Sequence, residues 1–159
     1  MREIKFRGRR IDNGEWVYGY LIGQDVIVGD IVEFTDEYFN TEFWYKVDPE
    51  TVGQYTGLKD RNGNPIYEED IVRYKPSWNE LIGVVCFGHY SQDGSGGEYG
   101  PRPCVGFYVE RKIIIPDELD DGEVYPREEE EQMSIAEEEY EIIGNIYENP
   151  ELLKGDENA

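Results

Sequence analysis

The sequence predicts a mainly β protein: an N-terminal β-hairpin region, a second β unit and a short C-terminal helix. Three observations carry that expectation. Aromatic residues make up 14% of the 159 residues, led by 13 Tyr, and aromatic side chains suit a pleated surface. The 18 Gly and 8 Pro imply frequent turns and therefore short elements. Apolar and polar residues alternate in several short runs, the two-residue period of half-buried strands.

The elements follow in order. Residues Glu3–Arg7 alternate, with Ile4 and Phe6 on one face and Lys5 and Arg7 on the other. Asp12-Asn13-Gly14 is a turn signal, and Trp16, Tyr18 and Tyr20 then alternate along a second strand, so the pair reads as a hairpin. Val26–Val28 and Ile31–Phe34 are short strands separated by Gly29-Asp30, and Glu42–Val47 is another, ended by Asp48-Pro49. A composition shift there suggests a boundary, giving a hairpin region at 1–50 and a second unit at 51–153. Asp60-Arg61-Asn62-Gly63 signals a tight turn. Glu68-Glu69-Asp70 is too polar for a strand interior and reads as a bend leading into a strand at Ile71–Tyr74. Leu81–Phe87 is β-like, and His89–Pro103 is rich in Gly, Ser, Asp and Pro and reads as a long loop. Cys104–Val109 and Lys112–Ile115 are strands. Residues 117–139 form an acidic insertion, within which Glu128–Glu139 has helical spacing at Met133, Ala136 and Tyr140. Glu141–Glu148 returns to β. Asn149-Pro150-Glu151 opens the final helix, with Asn as cap and Pro in the first turn. Residues 154–159 read as a disordered tail.

Charge narrows the partners. The net charge is −21, and it is uneven: residues 1–75 hold 10 Lys/Arg and 15 Asp/Glu, residues 76–159 hold 5 and 21. Such a field repels phosphate and disfavours general nucleic-acid binding. The two cysteines, Cys86 and Cys104, make no disulfide framework and fit a reducing compartment. No apolar run reaches the ~20 residues of a membrane span, and no signal-like stretch opens the chain, so a cytoplasmic location is expected.

Candidate chemistry is sparse. Cys86, His89 and Cys104 are zinc-compatible residue types, but Cys86 lies in an apolar strand and the spacing matches no paired zinc motif. Asp60, Asn62 and Asn64 alternate like a calcium loop, yet Pro65 and Ile71 occupy positions where an EF-hand requires Gly and Glu. The better account is a turn whose Asx side chains bond their own backbone. Glu68, Glu69 and Asp70 could supply paired carboxylates, although acids at a bend are ordinarily solvated. No phosphate loop, dinucleotide fingerprint or nucleophile elbow occurs, and neither catalysis nor a cofactor is expected. The aromatics Trp16, Tyr18, Tyr20, Phe39, Phe43, Trp44 and Tyr45 are expected to pack in the core and on sheet faces, but on an exposed face they would mark a binding surface. Together with the basic cluster, the residues expected at such a surface are Arg2, Arg7, Arg9, Arg10, Trp16, Tyr18, Trp44, Tyr55 and Tyr67. The basic cluster could also meet the acidic C-terminal half of a second copy, giving a homo-oligomer.

Three blocks resemble the YopX family, small proteins typical of phages and prophages of Gram-positive bacteria. They are Ile4-Lys-Phe-Arg-Gly8, the run Val52–Val72 containing Gly-Leu-Lys-Asp-Arg-Asn-Gly-Asn-Pro-Ile-Tyr, and Ile142–Leu153. They occur in the family's order and span nearly the whole chain. The family usually carries Gly where this chain has Glu69. The resemblance implies an SH3-like β-barrel in the second unit, containing the Asp-Ile-Val strand, and a phage or prophage origin. It supplies no activity. The resulting expectation is a non-enzymatic accessory protein that binds another protein or itself. One alternative is an acidic nucleic-acid mimic occupying a host DNA-binding protein. Weaker readings are direct nucleic-acid binding by the barrel and an enzyme for a small substrate.

Overall fold

The computed structural model describes residues 3–74, 81–92, 102–113, 127–132 and 140–153. The strands are β1 (Phe6–Arg9), β2 (Trp16–Ile22), β3 (Val26–Val28), β4 (Ile31–Phe34), β5 (Phe39–Thr41), β6 (Trp44–Lys46), β7 (Gly53–Lys59), β8 (Pro65–Tyr67), β9 (Asp70–Tyr74), β10 (Leu81–Gln92), β11 (Arg102–Ile113), β12 (Arg127–Gln132) and β13 (Tyr140–Asn145). Short 3-10 turns at Pro49–Thr51 and Pro150–Leu153 are the helical elements among the described residues. The protein is thus mainly β. The chain divides into two compact units, Met1–Leu58 and Lys59–Ala159.

In the first unit the strands run in the order β6-β3-β2-β1-β7, all antiparallel. The expected first hairpin is present, with Arg7 opposite Tyr18 and Arg9 opposite Trp16. Its core is aliphatic: Ile27 and Val47 are fully buried. Gly8 permits that packing, because a Cβ there would lie 2.9 Å from Val47 Cγ2 and 3.2 Å from Ile27 Cδ1. The faces differ from expectation. Tyr18 and Tyr20 are exposed, and Arg7 is buried. Arg7 stacks on the Trp16 ring at 4.8 Å, which shelters the guanidinium while keeping it beside a π face.

In the second unit five antiparallel strands run β12-β11-β10-β9-β13. The long β10–β11 ladder extends from Gly83 opposite Arg111 to Gln92 opposite Arg102. It therefore takes up the two ends of the stretch expected to be a loop, 89–92 and 102–103, and the middle, 93–101, lies outside the described residues. The helix expected over Glu128–Glu139 is corrected for its first part: 127–132 is a strand paired to β11. Helical propensity at these glutamates is a few tenths of a kcal/mol per residue, and a six-residue ladder outweighs it. The register sets Glu128 opposite Lys112, Glu129 opposite Arg111 and Glu130 opposite Glu110. Residues 114–126, 133–139 and 154–159 lie outside the described set, as does Arg2. The final helix is one 3-10 turn rather than an α-helix, with the Leu152 amide donating to the Asn149 carbonyl.

The bend at Glu68–Asp70 is present, but its acids are not simply solvated. Asp70 is buried, and its carboxylate accepts the Tyr67 amide at 2.8 Å. Glu69 has φ 69°, the left-handed conformation that costs an L residue roughly 1–2 kcal/mol and costs glycine little. It is held there from both sides, its amide donating to Val85 and its carbonyl accepting from Ile146. Glu69→Gly is expected to raise stability by about 0.5–1 kcal/mol, read as a higher urea midpoint at unchanged slope. An unchanged or lower midpoint would show that the Glu69 side chain outweighs the strain.

Candidate functional site

Strands β3 to β6 make one continuous ribbon. Its base belongs to the sheet, with Ile27 opposite Tyr45. Its outer half, β4–β5, forms a separate two-stranded sheet. The ladder carries across the bend, since the Gly29 amide donates to the Phe43 carbonyl and the Glu42 amide to the Asp30 carbonyl. Gly29 is what lets Phe43 lie against the bend, because a Cβ there would sit 2.8 Å from the Phe43 ring. The tip turns through Thr35, whose hydroxyl accepts from the Glu37 and Tyr38 amides.

Every residue of β4 is exposed, and Phe34 is 74% exposed. Phe34 and Phe39 stack with centroids 6.5 Å apart on one face of the tip. On the other, Glu33 accepts from Tyr38 and Asn40 at 3.1 and 2.8 Å. A two-stranded ribbon gains little stability from burial of its own, and the apolar side chains on this one stand open to solvent.

At the root of the ribbon lie two hollows of about 430 and 360 Å³ that both touch Ile11. One is lined by Arg9, Arg10, Gly14 and the Asp48–Thr51 turn, the other by Asp12, Trp44, Tyr45 and Lys46. Ile11 and Trp44 are 62% and 67% exposed. Arg10 lies 3.7 Å over the Tyr45 ring and donates to Asp12 at 2.9 Å. That hydrogen bond holds the guanidinium above its ordinary pKa and the Asp12 carboxyl below its own. Arg9 faces Trp16 at 5.9 Å. The result is a groove with apolar side chains whose rim carries both signs of charge, Arg10 paired to Asp12 and Lys46 to Asp25.

Of the surface residues expected from sequence, Arg9, Arg10 and Trp44 meet at this groove and Tyr18 is exposed on β2. Trp16 is half-buried between the arginines. Arg7, Tyr55 and Tyr67 are buried and do not contribute to a surface. Sequence reasoning missed Ile11, Phe34 and Lys46. A signal was available in the run from Asp30 to Glu42, where aromatics alternate with acids and no base occurs.

The other candidate chemistry resolves into structure. The Asp60 carboxylate accepts the Asn62 and Asn64 amides, both at 2.9 Å, so the Asx turn holds as read. Cys86 is half-buried beside Glu69 and Glu110, and burial, reinforced by those carboxylates, pushes its thiol up to about 12. It is not poised as a thiolate nucleophile. Cys104 pairs with Tyr90, four residues along β10 from Cys86. Four residues of strand are ~13 Å, too far for the two cysteines to share one ion. The side chains of His89 and Cys104 lie outside the described residues.

Residues 5–100 match the family model described as YopX protein. The chain belongs to the YopX family. The match includes the ribbon, the groove and the Asp60 turn of this YopX-family chain. No curated protein matches it. Among solved structures it is similar to the crystal structure of protein EF1440 from Enterococcus faecalis, at 24% identity and TM-score 0.52, covering 97% of this chain and 100% of that one. That likeness speaks to the fold alone.

Proposed function

We propose that this YopX-family chain is a non-catalytic accessory protein of phage or prophage origin that acts in the host cytoplasm by binding protein. The observation that carries this reading is the β4–β5 ribbon tip, which holds Phe34 and Phe39 in the open. Tyr, Trp and Arg at the groove add the side chains most often found at binding hot spots. The carboxylates most open to an acid–base reading support it too, since Asp70 is engaged by the backbone. We read the second unit as an SH3-type barrel. What supports that is its order, a four-strand meander whose later strand β13 returns beside the first, β9. A fold of this type does not assign an activity.

The test is affinity purification of the tagged protein from host cells during phage growth, beside a Phe34→Ser/Phe39→Ser variant of unchanged melting temperature. Partners captured by the wild type and depleted about tenfold or more by the variant would support the reading. Identical partner sets would overturn it. Partners that dissociate steeply with salt in both proteins would favour the acidic-mimic reading instead.

A further inference from the structure

We infer that the turn at Asp60–Arg61 is an edge guard: it occupies the outer edge of β13 and keeps a second copy of the chain from pairing there. The guard lies wholly within the second unit.

Backbone geometry is the first argument. β13 is the last strand in the order β12-β11-β10-β9-β13, with β9 along one side of it. The other side of such a strand is a row of N–H and C=O groups, a template for pairing with another chain. An antiparallel strand addresses its two sides by alternate residues. Tyr140 and Ile142 are two apart and address the side away from β9. There the Arg61 amide donates to the Tyr140 carbonyl at 2.8 Å. The Asp60 carboxylate accepts the Ile142 amide at 3.1 Å. One backbone amide and one side-chain carboxylate thus stand in for the donor and acceptor that a further strand would supply.

Sequence is the second. The two edges of this sheet are blunted by different means. β12 carries four consecutive acids, Glu128–Glu131, and like charges repel another such strand. β13 has no comparable protection. Its one charged residue, Glu141, is paired with Arg73 at 2.6 Å. Residues 142–147, Ile-Ile-Gly-Asn-Ile-Tyr, hold no charge and no Pro, the composition of segments that pair with copies of themselves. Like-charge repulsion within a chain of net charge −21 is weakest along such a run. Two uncovered β13 edges meeting antiparallel would present the same groups to each other, and the contact would close at two copies. The hydrogen-bonded turn takes the place of the missing charges.

The test is sedimentation velocity of the full chain in moderate salt, which screens the net charge. Asp60→Ala removes the acceptor for Ile142. Arg61→Pro is the milder variant, removing the donor to Tyr140. Arg61 is the second residue of a turn closed by the Gly63 amide on the Asp60 carbonyl, a position that suits Pro. Circular dichroism checks that each variant folds. The wild type is expected to be monomeric, and the folded variants to self-associate at least about tenfold more tightly. Adding Ile142→Pro should restore the monomer, because the amide it deletes points outward and the β9 ladder does not use it. Gly19→Ala, which strains the first sheet, separates edge exposure from general destabilisation and should stay monomeric. Association of either guard variant, reversed by Ile142→Pro, supports the guard. It is overturned if both guard variants stay as monomeric as the wild type. It is equally overturned if Ile142→Pro leaves their association unchanged, or if Gly19→Ala associates as strongly.

Discussion

Asp60→Ala is expected to destabilise the protein by about 3 kcal/mol or more, seen as a lower urea midpoint. One carboxylate serves three backbone donors: Oδ1 accepts Asn62 and Asn64, and Oδ2 accepts Ile142 at 3.1 Å. Asp60 is only 5% exposed, so removing the acceptor leaves those amides with little access to water. The Arg61 amide also donates to the Tyr140 carbonyl, so the turn and the start of β13 are fastened at two points. Asp60→Asn keeps an acceptor for the turn but turns a donor toward Ile142 or leaves it unmet, and should cost less, about 1–2 kcal/mol. The pH dependence follows from the same contacts. Burial alone would raise the carboxyl's pKa, but the amide donors outweigh it and hold the folded value below the usual 3.8. A folded pKa below the unfolded one means the contribution is present above about pH 4 and is lost as pH falls through the folded value. The stability gap between wild type and Asp60→Asn should therefore be constant at neutral pH and narrow below about pH 4. A gap independent of pH down to acid unfolding would refute the assignment of the donors.

Gly19→Ala should be the most damaging single methyl, at about 3 kcal/mol. A Cβ at Gly19 would sit 2.2 Å from the Val28 carbonyl oxygen. The obstacle is backbone, so no rotamer relieves it, and β3 must shift away from β2. That movement breaks the Tyr20–Val28 and Leu21–Ile27 pairings and disturbs the fully buried Ile27. Since β3 is the root of the ribbon, tip-dependent binding should fall with stability. Gly23→Ala is the control: its φ is 63° but nothing lies within 4 Å of a Cβ there, so strain alone applies, about 1 kcal/mol. Equal thermal shifts for the two variants would show that β2 and β3 have room that the distances deny.

Much of this fold is legible in the chain. The Asp12–Gly14 turn, the β1–β2 hairpin, the short strands around Gly29-Asp30 and the Asx turn at Asp60 all follow from local rules, because turn residues and strand alternation act within a few positions. The block Val52–Val72, which lies inside the matched residues 5–100, likewise points to the family. The groove was half legible: Arg9, Arg10 and Trp44 were expected at a surface, but alternation gives a face without saying which face meets water. Tyr18 and Tyr55 are each the third residue of a seven-residue strand, and one is exposed while the other is buried.

What the sequence determined alone is therefore the β class, the position of its turns and the family. Tertiary structure decided the rest. It made a strand of the glutamate-rich 127–132, because ladder hydrogen bonds outweigh local propensity. It buried Arg7 against Trp16 and Asp70 against a backbone amide, because a buried charge persists only where another element supplies its partner. It left Phe34 and Phe39 in the open, because the ribbon leaves the sheet at Gly29 and nothing in the first unit covers it. The β11–β12 ladder and the Arg7–Trp16 contact each join two different strands, and alternation within one strand does not encode such a meeting.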